Sequence, residues 1–308
     1  MKRGLALSGG GTRSFSQIGA LKILEKRGFQ FDIITGTSMG AIIGTIYSFT
    51  ESAERVEEII FKIFTKKIFR KIEKFFSRND KRVFDRFFKN IKDFFLLFID
   101  SYKSGLFDSE IIEKEIYKFI GKKIYFEEAK RKLGIVATEY FSGKTIIFHK
   151  GEIIPALIAS CCIPGLIKPY KIKNKFFVDG GITSNLPVIA NFLLGGEIII
   201  GIGNNLFLQE KIPVNAFDVF TQIEKIKTIY LQLTEEFLAD YVLNIQMPDI
   251  EWFNFSKIKE CIKIGEEYTL KNLKFIETKL EKKEKIEIRE KIVQNLKEYF
   301  LLGESSRI

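Results

Sequence analysis

Histidine is almost missing from this chain: 308 residues contain one, His149. A Ser–His–Asp triad would therefore hang on that residue, and no His/Cys cluster with ligand spacing exists to hold a metal. Cysteine is scarce as well. Cys161 and Cys162 are adjacent and Cys261 is distant, which excludes a disulfide framework and points to a reducing compartment. No apolar run reaches the roughly 18 residues of a spanning helix. The most apolar window, IIPALIASCCIPGLI (153–167), is too short and carries two prolines. The N-terminus, MKRGLALSGGG, is broken by glycines before it reaches the length of a signal-peptide core. A cytoplasmic protein is expected, with peripheral contact to a membrane left open. There is no internal repeat and no Pro/Gly/Ser-rich linker. The expected organisation is one domain over 1–275, carrying a helical insertion at 51–130, followed by a charged helical tail at 276–308.

What the chain has in excess is phenylalanine and positive charge, 31 Phe and a formal net charge of +10. Both concentrate in one stretch. Residues 61–98 hold twelve Lys/Arg against four Asp/Glu, together with eleven of the phenylalanines. Phe61, Phe64, Ile68, Ile72, Phe75 and Phe76 recur at spacings of three or four, an apolar helical face with lysines opposite. Such a face either packs on the rest of the fold or lies on an anionic membrane surface as a lid or docking element. Nucleic acid is not an expected partner: no recognition motif accompanies the basic residues.

Elsewhere the pattern is orderly. GLALS reads as a buried strand, SGGGTRS as a turn, FSQIGALKILEKRG as a helix, FDIITG as a second strand and SMGAIIGTIYSF as a second helix. A helix over 109–120, a strand over 133–140, a hairpin through 141–144 and a returning strand TIIFHKG come next. A helix near 153–161, a strand and turn at KFFVDGG and a buried strand at EIIIGIG follow. The last hundred residues read as helical apart from YVLNIQM. This alternation gives an α/β fold with a mostly parallel sheet.

Two glycine-rich turns sit where strands hand over to helices. SGGGTRS places free N–H groups at a helix start, a setting that attracts an anion. It has no Walker lysine, and Ser14 stands where a dinucleotide fingerprint needs its third glycine. Gly36-Thr37-Ser38-Met39-Gly40 fits G-x-S-x-G, the sharp turn that exposes a nucleophilic serine; a glycine-flanked helix cap is the plainer reading. His149 is a weak partner for it, in a strand end before a turn. Asp179, in KFFVDGG, lies at a strand end, where α/β sheets present functional groups.

These pieces together resemble the patatin-like phospholipases, acyl hydrolases that work with a Ser–Asp dyad. Gly9-Gly10-Gly11-Thr12-Arg13 looks like their oxyanion loop, Gly36-Thr37-Ser38-Met39-Gly40 like their nucleophile elbow, and Asp179-Gly180-Gly181 like their catalytic D-G-[AG]. ALIASCCIPGLIKPY and DGGITSNLP also look familial. The resemblance implies a three-layer sandwich, Ser38 as nucleophile, Asp179 as base, Gly9, Gly10, Gly11, Thr12 and Arg13 as the oxyanion loop, and a lipid ester as substrate, with no cofactor and no metal. Acyl transfer or thioester hydrolysis would use the same serine, and a non-catalytic membrane-surface adaptor is the remaining alternative. Two departures stand out: Ser14 replaces the usual glycine, and Gln17 stands where histidine is common.

Overall fold

Short apolar runs form the middle of one sheet, of nine strands among the described residues. The computed structural model describes residues 1–64, 108–204, 208, 212–213, 216–247, 250–279, 286–296 and 299–305. Strands β1 (Arg3–Leu7), β2 (Ile33–Thr37), β3 (Lys132–Glu139), β7 (Ile198–Asn204) and β8 (Tyr241–Ile245) are joined in parallel. Strands β4 (Thr145–Lys150) and β6 (Lys175–Asp179) run antiparallel to β3, and β5 (Tyr170–Ile172) closes a hairpin with β6. The order β5-β6-β3-β2-β1-β7-β8 is supplemented by β4, which pairs with β3, and β9 (Phe300–Glu304), which pairs with β4.

The central strands are apolar on both sides because both faces are covered. Leu5, Leu7, Ile34, Ile135 and Ala137 point into the larger core. That core also takes residues from helices α1 (Ser16–Lys26), α2 (Met39–Thr50), α3 (Ala53–Phe64), α5 (Ile153–Ser160) and α8 (Ile258–Lys279). The alternate residues Ala6, Ile33, Val136 and Ile199 pack on the other face, under α6 (Val188–Leu193) with α7 (Ala216–Leu238) and α9 (Ile286–Leu296). The result is a helix–sheet–helix sandwich with a mixed, mostly parallel centre, as the alternation of elements predicts.

The helical insertion is described only at its ends, α3 and α4 (Ser109–Ile120). Nearly all of the basic, phenylalanine-rich stretch 61–98, and with it the lid or docking expectation, lies outside the described residues. The reading of 276–308 as a charged helical tail needs correcting at two points. Residue 276 falls inside α8 rather than at a boundary, and the last described element is β9, paired with β4 from Thr145↔Phe300 to Phe148↔Gly303. Segment α9 is anchored rather than solvated. Arg289 is buried, its Nε donates to the Leu238 carbonyl at 2.6 Å, and its guanidinium pairs with Asp240. Lys and Glu dominate this stretch and mask the few residues that do the docking.

Candidate active site

Ser38 sits between β2 and α2 with φ 53° and ψ −122°, a conformation that costs a non-glycine residue about 1–3 kcal/mol. The tight packing around the turn holds it there. A Cβ on Gly36 would lie 2.5 Å from the Gly40 carbonyl oxygen, and one on Gly40 would lie 2.4 Å from that of Leu7. Only glycine lets α2 start this close to β1. The turn leaves the Ser38 side chain half-exposed at the C-terminal end of the parallel strands.

Asp179 reaches the same point through the register of β3. One edge of β3 is occupied by β4 over Ile135–Thr138. The opposite edge carries β2 first, as far as Thr37↔Val136, and then β6, whose last residue pairs as Asp179↔Ala137. Two strands running in opposite directions thus end against each other on a shared edge, and their next side chains meet. Asp179 is fastened there. Its N–H donates to the Cys162 carbonyl at 2.9 Å, its carbonyl accepts from Thr138 Oγ1 at 3.0 Å, and its Oδ1 accepts from the Gly181 N–H at 2.7 Å. Burial pushes its pKa up to about 6, opposed by the bonds from the Gly181 N–H and the Ser38 hydroxyl.

The glycine loop lies against this pair: a Cβ on Gly9 would sit 3.3 Å from Ser38 Cβ. Two of its amides are already used, Gly9 N–H by the Asn185 carbonyl at 3.1 Å and Thr12 N–H by the Trp252 carbonyl at 2.7 Å. The Gly10 and Gly11 N–H groups have no acceptor among the described residues. Arg13 is half-buried, and desolvation lowers its pKa, with Glu251 and Cys261 acting in the opposite sense. The two departures are absorbed beneath the loop. The Ser14 hydroxyl donates to the Ser8 carbonyl at 3.3 Å and accepts from Asn204 Nδ2 at 3.1 Å; Gln17 Nε2 donates to the Ser8 carbonyl at 2.8 Å.

His149 is not part of this constellation. It follows Phe148, which pairs with Ile135, so it lies toward the start of β3 and across that strand from β2. Burial, then Lys150 and Lys132, lower its pKa.

Sequence reasoning missed the residues that hold the pair in place. Ser160, wholly buried at the end of α5, donates from Oγ to the Val136 carbonyl at 2.6 Å and accepts from the Ser38 N–H at 2.8 Å. It fills the gap where β2 and β6 both end. A serine in the apolar run IIPALIAS was the available signal, since a buried hydroxyl requires partners. The neighbouring Cys161 thiol stands beside Ser38 and Asp179, and burial, with the Asp179 charge, raises its pKa well above the ordinary thiol value. From the opposite layer, Glu235 accepts from Ser184 Oγ at 2.6 Å and from the Ile189 N–H at 2.8 Å, and Gln232 accepts from Asn185 Nδ2 at 2.9 Å. Ser184 in turn takes the Thr37 hydroxyl at 2.8 Å. Burial lifts the Glu235 pKa to about 7, against the bonds from Ser184, Ile189 and Val188.

Comparison with known proteins places relatives beside this chain. An uncharacterized NTE family protein of Mycobacterium tuberculosis is 27% identical over 201 residues, 65% of this chain and 48% of that protein. The lysophospholipase NTE1 of Candida glabrata is 28% identical over 193 residues, 60% of this chain and 9% of its own length. The cGAMP-activated phospholipase of Vibrio cholerae is 28% identical over 208 residues, 59% of this chain and 54% of that protein. The chain thus spans about half the length of the mycobacterial relative. Among solved structures, VipD from Legionella pneumophila superposes with a TM-score of 0.44 at 14% identity, covering 89% of this chain and 67% of that one. The patatin-like phospholipase profile matches residues 5–191, from β1 through Ser38 and Asp179 into α6. A match over more than half of the sequence, spanning both halves of the site, makes this chain a member of the patatin-like phospholipase family.

Proposed function

We propose that the protein is a serine acyl hydrolase that cleaves fatty acyl esters of phospholipids or lysophospholipids. The observation that carries this reading is a strained serine whose hydroxyl meets a buried carboxylate with a pKa near 6. An ordinary aspartate, with a pKa near 4, is a poor base toward an alcohol. Desolvation moves Asp179 closer to the working range of a general base while leaving it ionised at neutral pH.

In this reading Asp179 accepts the Ser38 proton as Ser38 Oγ attacks the ester carbonyl. The carbonyl oxygen becomes an oxyanion, and the Gly10 and Gly11 amides, without an acceptor among the described residues, are the donors for it; one such donor contributes roughly 3–4 kcal/mol in comparable sites. Collapse of the intermediate expels the lysolipid or glycerol alcohol, which takes the proton from Asp179. Water, deprotonated by Asp179, then attacks the acyl-serine, and the fatty acid leaves as Asp179 returns that proton to Ser38 Oγ. Ser160 occupies the Ser38 amide throughout, so that amide belongs to the scaffold and not to the oxyanion site.

The test is labelling by a fluorophosphonate probe followed by mass spectrometry of products from a mixed lipid panel. Labelling is expected in the wild type and absent in Ser38→Ala. Free fatty acid and lysophospholipid, or glycerophosphodiester, are the expected products. Persistent labelling of Ser38→Ala would remove Ser38 as nucleophile.

A further inference from the structure

The catalytic end of the sheet carries a feature that neither the family match nor the site geometry uses. Strand β3 continues past the level of Ser38 and turns back at 140–144 into β4. The β5–β6 hairpin turns at 173–174, on the same side, since the Tyr140 N–H donates to the Phe176 carbonyl at 2.8 Å. Tyr299, just before β9, joins them, its carbonyl accepting from the Thr145 N–H at 2.8 Å. At about 3.3 Å per residue, the tip at Phe141 stands roughly 13 Å beyond the level of Ser38 along the strand direction.

The composition of this rim is specific. Phe141, Tyr140 and Tyr299 are 74%, 45% and 60% exposed. Phe141 is edge-on to both Tyr140 and Phe176, at ring separations of 5.2 and 6.0 Å, and Lys171 Nζ lies 5.8 Å from the Phe176 ring centre. Lys171, Lys173 and Lys175 are exposed and Lys144 half-exposed. None of the four is in an ion pair among the described residues. Among the described residues at the tips, the acidic one, Glu139, is buried. Its carboxylate accepts from the Phe141 and Ser142 N–H groups at 3.2 and 2.9 Å and from the Ser142 hydroxyl. Lys173 holds φ 54° in a two-residue turn, where Gly or Asn would carry less strain. Cations beside exposed aromatic rings, with the local carboxylate turned inward, match an anionic headgroup layer into which the rings insert.

We infer that this rim is an interfacial docking surface that seats the protein on an anionic phospholipid bilayer, with the strand ends bearing Ser38 facing the lipid. The inference rests on the phospholipid reading above and names the surface from which that substrate would be drawn. It is distinct from the basic stretch 61–98, because every residue used lies on the β3–β4 and β5–β6 hairpins or, for Tyr299, just before β9.

The experiment measures full-length protein binding to vesicles of phosphatidylcholine with and without phosphatidylglycerol. The comparison protein carries Lys171→Gln, Lys173→Asn and Lys175→Gln, with its thermal midpoint as folding control. The wild type is expected to bind the anionic vesicles more tightly, and the triple variant to lose roughly a hundredfold in affinity, about fivefold per lysine. Phe141→Trp is expected to give a blue-shifted emission on the same vesicles. Equal binding of wild type and triple variant, or no emission shift, overturns the proposal. A wild-type dimer in lipid-free buffer that the same substitutions dissolve also overturns it, assigning the rim to a second copy of the chain. These readouts need no turnover. Absence of ester hydrolysis with binding intact would defeat the enzymatic reading and leave the docking surface standing.

Discussion

At the scale of single residues, the site consists of groups held in costly states. Asp179 is the clearest. Its pKa is raised to about 6 from an ordinary value of 3.8, so burial penalises the charged form. Two consequences follow. Activity should rise with pH through a midpoint near 6, as the base ionises, in a kcat/KM profile on a soluble ester. The stability associated with Asp179 is fully present below its unfolded pKa and is lost as pH climbs through 6. Asp179→Asn should therefore abolish turnover and yet be more stable than wild type at pH 8, by about 3 kcal/mol. The gap should close at pH 4, and urea unfolding at both pH values measures it. Ser160 is the second case. Ser160→Ala strips the Val136 carbonyl and the Ser38 amide of their shared partner, at a cost of about 1–3 kcal/mol. It should lower kcat more than it changes KM, because it loosens the nucleophile rather than the substrate pocket. The two residues were unequally legible. Asp179 stood in a recognisable motif at a strand end, whereas the role of Ser160, 122 residues from Ser38, depends on how β2, β3 and β6 align.

At the scale of elements, β3 and α7 organise the site from opposite sides. On α7 the polar residues Gln232 and Glu235 are buried, while Val219, Ile223, Ile226, Tyr230 and Leu233 are outward and exposed. Hydrophobic periodicity identifies this segment as a helix but reverses its faces, because it assumes that the apolar stripe seeks the core. Here the inward face is tied to the loop 184–189 that follows Asp179. Glu235→Ala would leave the Ser184 hydroxyl and the Ile189 N–H unpaired in the interior. It should destabilise the fold by about 1–3 kcal/mol and reduce turnover, although Glu235 touches no reacting atom; denaturant titration beside an ester assay checks both. Gly40→Ala puts a methyl 2.4 Å from the Leu7 carbonyl, so α2 must retreat from β1. Loss of probe labelling at Ser38 is expected even in the fraction that remains folded. The strands β5 and β9 were not read from the sequence. The first is three residues long, and the second, FLLGE, follows a charged run that obscures it.

At the scale of the whole molecule, the layered fold and the order of its central elements were readable, since each strand–turn–helix step left a local signature. Which of two candidate bases, His149 or Asp179, stands beside Ser38 was not readable from residue types alone. It depended on which edge of β3 each strand joins. Because His149 lies across β3 from the serine, His149→Ala should retain full activity in the same ester assay; near-complete loss would restore a triad.

The end-to-end meeting of β2 and β6 along one edge has a practical corollary for anyone purifying this protein. Both strands take their spacing from β3, through Thr37↔Val136 and Asp179↔Ala137, so a slip of β6 by one residue along β3 would turn the carboxylate toward the opposite side of the sheet. Such a misassembled fraction would keep its secondary structure and much of its solubility while being inert. Specific activities should therefore be normalised to titrated nucleophile rather than to total protein.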